Sequence, residues 1–253
     1  MTQVKPACEP YSAAGGPIGV WLQHGFSGCP ASMRPLGESF AGLGMTVAAP
    51  LLPGHGTAWE DLEKVTMADW EQRAEQTLSD LARRCRTVIG VGLSMGGAMV
   101  LHMAARHPEM LAGAAVINAD VRRPNLALAP VVRLFTRTVK GVGNDIKKPG
   151  QNEEPYDRLP VKALVQLNRF YRTVAKELEG VRVPLLVFSS VEDHLVKPSN
   201  SRFIFEHVAS QKKELISLTN SYHVATLDYD ADLIQERVIE FARAISSSSP
   251  TPA

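Results

Sequence analysis

The pentapeptide Gly92-Leu93-Ser94-Met95-Gly96 constrains this chain more than any other stretch. It follows an apolar run, Thr87-Val88-Ile89-Gly90-Val91, and opens a stretch of small and apolar residues over 97–106. A serine between two glycines at a strand-to-helix junction is the pattern of a nucleophile elbow. The backbone there turns so sharply that only small residues fit two places before and two places after the serine. The sequence therefore predicts a strand ending near Val91, a helix over 97–106, and a serine hydroxyl presented at the corner between them.

Short apolar runs alternate with longer amphipathic stretches along the rest of the chain. That rhythm predicts an α/β fold with a mostly parallel central sheet flanked by helices, its strands buried on both faces. Strands are expected at 18–22, 45–49, 87–91, 114–117, 185–188 and 214–218. Helices are expected at 32–43, closed by Gly44, and after Thr66, where Asp69 completes a capping box ahead of Trp70, Ala74, Leu78 and Leu81. Two more follow from the stripe of Leu164, Leu167, Tyr171, Val174 and Leu178 and from residues 233–245.

The rhythm stops over 121–160. Leu126, Leu128, Val132, Leu134 and Phe135 are mixed there with Arg122, Arg123, Arg133, Arg137, Lys140, Lys147 and Lys148. A span of that length with no element of its own points to an inserted cap. The expected organisation is a core over 1–120, a cap over 121–160, the second part of the core over 161–245, and a disordered Ser/Pro-rich tail over 246–253. The apolar cap residues are expected at a tunnel or its rim.

A serine hydroxyl is a weak nucleophile, so it needs a base and the base needs an orienting carboxylate. With an elbow of this kind the chain order is serine, acid, histidine. Of seven histidines, His24 and His55 precede the serine, His102 and His107 lie on or beside the following helix, His194 adjoins the acidic loop, and His207 falls on a surface helix. His223, on a short loop after the last strand, is the expected base. Glu192 and Asp193 both follow the 185–190 segment, and the shorter Asp193 is the expected orienting acid. Two oxyanion donors are expected, the backbone amides of Met95, which follows the serine, and of Phe26, in the His24-Gly25-Phe26-Ser27-Gly28 loop.

Several classes are set aside by composition. The 27 basic and 26 acidic side chains leave a net charge of +1, so no single-sign field recruits nucleic acid. Cys8, Cys29 and Cys85 are odd in number and widely spread. They predict neither a disulfide framework nor a zinc site, and with them a reducing cytoplasm is the expected compartment. The first sixteen residues lack a signal-peptide core, and no run is long enough to span a bilayer.

Four motifs stand in a recognisable order: His24-Gly25-Phe26-Ser27-Gly28, Gly54-His55-Gly56-Thr57, Gly92-Leu93-Ser94-Met95-Gly96-Gly97, and the run from Asn220-Ser221-Tyr222-His223 to Asp228. With Ser32-Met33-Arg34-Pro35-Leu36 and Asp69-Trp70, they make the chain resemble the bacterial monoacylglycerol lipases of the Bacillus type and related carboxylesterases of the α/β-hydrolase superfamily. The resemblance implies a cofactor-free serine hydrolase that splits a monoacylglycerol into fatty acid and glycerol. It also implies a triad of Ser94, Asp193 and His223, with oxyanion donors on Phe26 and Met95. Alignment through Pro149 and Tyr156 puts the family's glycerol-reading glutamate on Glu153, and a residue lining the alcohol pocket on Val142. The alternatives sharing this machinery are a broad short-chain carboxylesterase, a lysophospholipase and an acyl thioesterase; outside enzymes, a ligand-sensing receptor on the same fold. A small lipid ester is the expected partner, and exposed apolar cap surface would pair two chains or touch a membrane.

Overall fold

The computed structural model describes residues 2–248. Seven strands form one sheet: β1 (Tyr11–Ala13), β2 (Ile18–Gln23), β3 (Thr46–Ala49), β4 (Thr87–Leu93), β5 (Gly113–Ile117), β8 (Leu185–Ser190) and β9 (Lys213–Leu218), in the spatial order β1-β3-β2-β4-β5-β8-β9. Every pairing is parallel except that of β1 with β3. All six strands expected from the apolar runs form, most of them a residue or two longer. The extra strand, β1, has only three residues at the sheet edge and no apolar run to announce it.

Strands β4, β5 and β8 are buried at every position, as a parallel sheet covered on both faces requires. Alternate side chains feed two separate cores. On one face Trp21, Val88 and Val116 join Trp70, Leu78 and Leu81 of α3 (Met67–Arg84), together with α4 (Met95–Arg106) and α6 (Val161–Glu177). On the other, Val20, Leu22, Ile89 and Val91 pack with Phe40 of α1 (Arg34–Gly42) and with Ile234 and Val238 of α8 (Ala231–Ser248). The capping box forms: Asp69 accepts the Thr66 amide at 2.7 Å.

Residues 121–160 add no strand to the large sheet. They hold a 3-10 turn, the short helix α5 (Ala129–Val132), and β6 (Thr138–Lys140), which pairs antiparallel with β7 (Arg158–Pro160). The remaining helices are α2 (Trp59–Leu62) and α7 (Ser199–His207).

Two expectations are corrected. Cys8 and Cys29 form a disulfide, and only Cys85 is free. Pairing depends on folding the N-terminal segment against the loop after β2, which cysteine spacing does not reveal. The bond removes the cysteine-based ground for a reducing compartment, because disulfides persist in oxidising ones. Helix α8 also runs through Ser248, so residues 246–248 are helical where a tail was expected, and residues 249–253 lie outside the described residues. Among the described residues no helix is long and apolar enough to cross a membrane.

Candidate active site

Ser94 occupies the corner between β4 and α4 with φ 56° and ψ −119°, a conformation that side-chain-bearing residues rarely adopt. The flanking glycines explain how the corner closes. A Cβ on Gly96 would lie 2.1 Å from the Gln23 carbonyl oxygen, and one on Gly92 would lie 2.2 Å from the Gly96 oxygen. No other residue fits at either position. Ser94 donates its amide to the Ile117 carbonyl at 2.9 Å, which pins the corner to β5.

His223 sits on the loop after β9, and Asp193 on the loop after β8. Asp193 Oδ2 lies 2.8 Å from His223 Nδ1, with both side chains nearly fully buried. Asp193 Oδ1 accepts the Leu195 and Val196 amides at 2.8 and 2.7 Å, so the carboxylate is held by its own loop. Glu192, the other acid considered, is half exposed and pairs with Lys147. Ser94, His223, Gly25, Phe26 and Glu153 share the lining of one pocket of about 50 Å³.

The loop after β2 faces the serine. A Cβ on Gly25 would come within 3.3 Å of Ser94 Cβ, so glycine allows this close approach. His24 fixes the loop: its Nδ1 donates to the Gly25 carbonyl at 2.9 Å and its Nε2 accepts the Leu52 amide at 3.1 Å. Burial pushes its pKa down to about 4, so the ring is neutral and keeps that division of roles. His55 is likewise held down at about 3, chiefly by burial, within a ring cluster with His24, Phe26 and Trp70. Met95 is the first residue of α4, so its amide has no carbonyl of its own helix to bond.

Glu153 is buried against the same loop, its Oε2 within 3.1 Å of where a Gly28 Cβ would stand. Burial raises its pKa from 4.5 to about 7; His223 opposes that rise and Asp145 adds to it. In the unfolded chain this carboxyl titrates near 4.5. The folded state therefore holds its proton more tightly, and its contribution to stability is full at low pH and declines as pH climbs from about 4.5 through 7. Val142 is 56% exposed and stands at the pocket rim.

Three further polar residues organise the site. Asn118, at φ 47°, donates through Nδ2 to Ser190 Oγ and the His223 carbonyl at 2.9 and 2.7 Å, and accepts the Ser190 amide at 2.7 Å. Asp145 accepts the amides of His223 and His194, both at 3.2 Å. Asp228 accepts four backbone amides, from Lys147, Lys148, Tyr222 and Tyr229. Each partner is remote in sequence or purely backbone, so no spacing pattern advertises them.

The expected rim residues are corrected. Leu126 is buried in the core, Val132 packs beside Ala129 and Val165, and Leu128, Leu134 and Phe135 are 64%, 79% and 84% exposed. The apolar wall is formed by Leu159, Leu164, Tyr171 and Leu195 instead. A short apolar stretch does not specify which of its faces a neighbour will cover, and here α6 took the inner position. Among the described residues no group of three or more His, Cys, Asp or Glu is placed to hold a metal ion.

Known proteins frame this geometry. Residues 19–230 match the family described as serine aminopeptidase, S33. The chain is 43% identical to a thermostable monoacylglycerol lipase of Bacillus sp. (strain H-257), over 94% of this chain and 95% of that protein. It is 27% identical to a carboxylesterase of Bacillus subtilis (strain 168), over 92% and 95%. A solved structure of a metagenome-derived lipolytic enzyme superposes with a TM-score of 0.93 at 41% identity, covering 96% of this chain and all of that one. By the length of the family match, the degree of identity to these relatives and the sheet it shares with them, the chain belongs to the serine aminopeptidase S33 family and has the α/β-hydrolase fold.

Proposed function

We propose that this protein hydrolyses monoacylglycerols to fatty acid and glycerol through an acyl-enzyme on Ser94. The observation that carries the reading is the buried Asp193–His223 contact at 2.8 Å in one pocket with an elbow serine. Asp193 orients the ring through Nδ1, and Nε2 takes the Ser94 proton as Oγ attacks the ester carbonyl. The amides of Phe26 and Met95 stabilise the oxyanion. His223 then protonates the departing glycerol oxygen, and the same ring activates the water that releases the fatty acid.

Glu153 reads the glycerol hydroxyls and Val142 flanks the alcohol, with residues 121–160 acting as the cap that brings both to the pocket. Below pH 7 a neutral Glu153 both donates to and accepts from a hydroxyl; above it the ionised carboxylate only accepts. Above pH 7, Glu153→Gln is expected to lower kcat/KM on a monoacylglycerol by about tenfold, the difference between a hydrogen bond to a carboxylate and one to a neutral amide. Turnover of p-nitrophenyl acetate falls far less, and the pH dependence of the monoacylglycerol KM near 7 flattens. Equal losses on both esters would remove Glu153 from glycerol recognition.

The cap also meets lipid. Among the described residues Leu134 and Phe135 are the most exposed large apolar side chains, and Arg133, next to them in the chain, is exposed as well. Exposed apolar side chains beside a cation suit an anionic bilayer surface. Leu134→Ser with Phe135→Ser is expected to reduce sedimentation with anionic vesicles roughly tenfold. Unchanged sedimentation would reject the contact, and a change of oligomeric state instead would assign the patch to a second copy of the chain.

A further inference from the structure

The exit of β5 places a charged pair at the wall of the pocket. Asp120 is 1% exposed, and Arg123 Nε lies 2.8 Å from its Oδ2. The contact is one of charge and distance, since neither Asp120 oxygen accepts an aligned hydrogen bond. Arg123 Nη2 donates to the Leu195 carbonyl at 2.6 Å. The guanidinium thus bridges from the strand beside Ser94 to the loop that carries Asp193.

Its position divides the available space. Arg123 lines the pocket of about 50 Å³ that holds Ser94 and His223. The same side chain lines two outer cavities, of about 550 Å³ and about 390 Å³. The inner volume is on the order of one or two waters at about 30 Å³ each, too little for an extended acyl chain. Among the described residues Arg123 is the one that lines all three cavities, so a long chain that reached both outer ones from Ser94 would pass where the guanidinium now stands. Asp120 is buried while the Arg123 side chain is 29% exposed, so a desolvated carboxylate holds a partly solvated cation at the wall, where an apolar residue would avoid the cost of burying charge.

We propose that Arg123, docked on Asp120 and Leu195, ends the acyl pocket and makes this enzyme selective for esters of short acyl chains. The inference rests on the ester-hydrolase reading of the Ser94 pocket and deepens it by naming the substrate class. Glu153, against Gly28, marks the alcohol end; Arg123, against Leu195 and Tyr171, marks the acyl end. Chains longer than the inner pocket meet a cation that must leave both partners before they advance.

The test is a series of p-nitrophenyl esters from acetate to laurate, beside butyrate esters of alcohols of increasing length. The unsubstituted enzyme should favour the short acyl chains; equal kcat/KM for laurate and butyrate would overturn the proposal without any variant. Arg123→Ala alone would strand a buried carboxylate, so the opening variant is D120N/R123M, with its folding checked by thermal melting. Its laurate-to-butyrate ratio of kcat/KM should rise by about tenfold or more, as additional methylenes find an apolar cavity. Arg123→Lys, which keeps the cation opposite Asp120, should hold the native ratio. An unchanged ratio in folded D120N/R123M, or a shift confined to the alcohol series, would contradict the assignment. Failure of the ester-hydrolase reading looks different: all esters are then turned over poorly, or equally well by Ser94→Ala.

Discussion

Ser94→Ala is expected to lower ester hydrolysis by at least about 10³-fold while the protein stays folded. The loss is large because the substitution removes the hydroxyl on which the proposed covalent adduct forms. The pocket and the proposed oxyanion donors persist, so the residual rate reports what binding and polarisation achieve without the hydroxyl. Folding should survive, since the corner is built by Gly92, Gly96 and the bond from the Ser94 amide to Ile117, none of which needs the hydroxyl. Near-native turnover by this variant would place the chemistry on another residue.

Asp193→Asn should be almost as damaging, by about 10³- to 10⁴-fold, a range set by the same substitution in an unrelated serine protease. An asparagine can keep accepting the Leu195 and Val196 amides through its oxygen. Its NH₂ group then faces His223 Nδ1 and forces the proton onto Nε2, where the base must be free to accept. The effect is thus one of tautomer, with little change in shape. Glu192→Gln, on an exposed side chain paired with Lys147, should leave turnover within about twofold. Comparable losses in the two variants, or a heavier loss at Glu192, would exchange their roles.

Much of this arrangement was legible in the chain because sterics and chain order wrote it there. Gly92 and Gly96 are demanded by contacts near 2 Å, so the elbow appears as a motif. The buried strands β4, β5 and β8 appear as apolar runs because both their faces are covered. Asp193 and His223 follow from which strand each loop leaves. The Cys8–Cys29 bond, the Asn118 bridge and the four amides on Asp228 were not legible. Each joins segments by tertiary contact or by backbone groups common to all residues, so no periodicity or spacing records it. The expected rim failed for a related reason: Leu134 and Phe135 are exposed, while Leu164 and Tyr171 of α6 line the pocket.

The most direct measurement is a set of initial rates on short- and long-chain monoacylglycerols beside p-nitrophenyl esters, triacylglycerol and lysophosphatidylcholine, with Ser94→Ala as the control. The expected result is the highest kcat/KM on a monoacylglycerol, abolished by Ser94→Ala. Equal or better rates on simple alkyl esters of the same acyl length would contradict a glycerol-reading site and leave a carboxylesterase of wide alcohol tolerance.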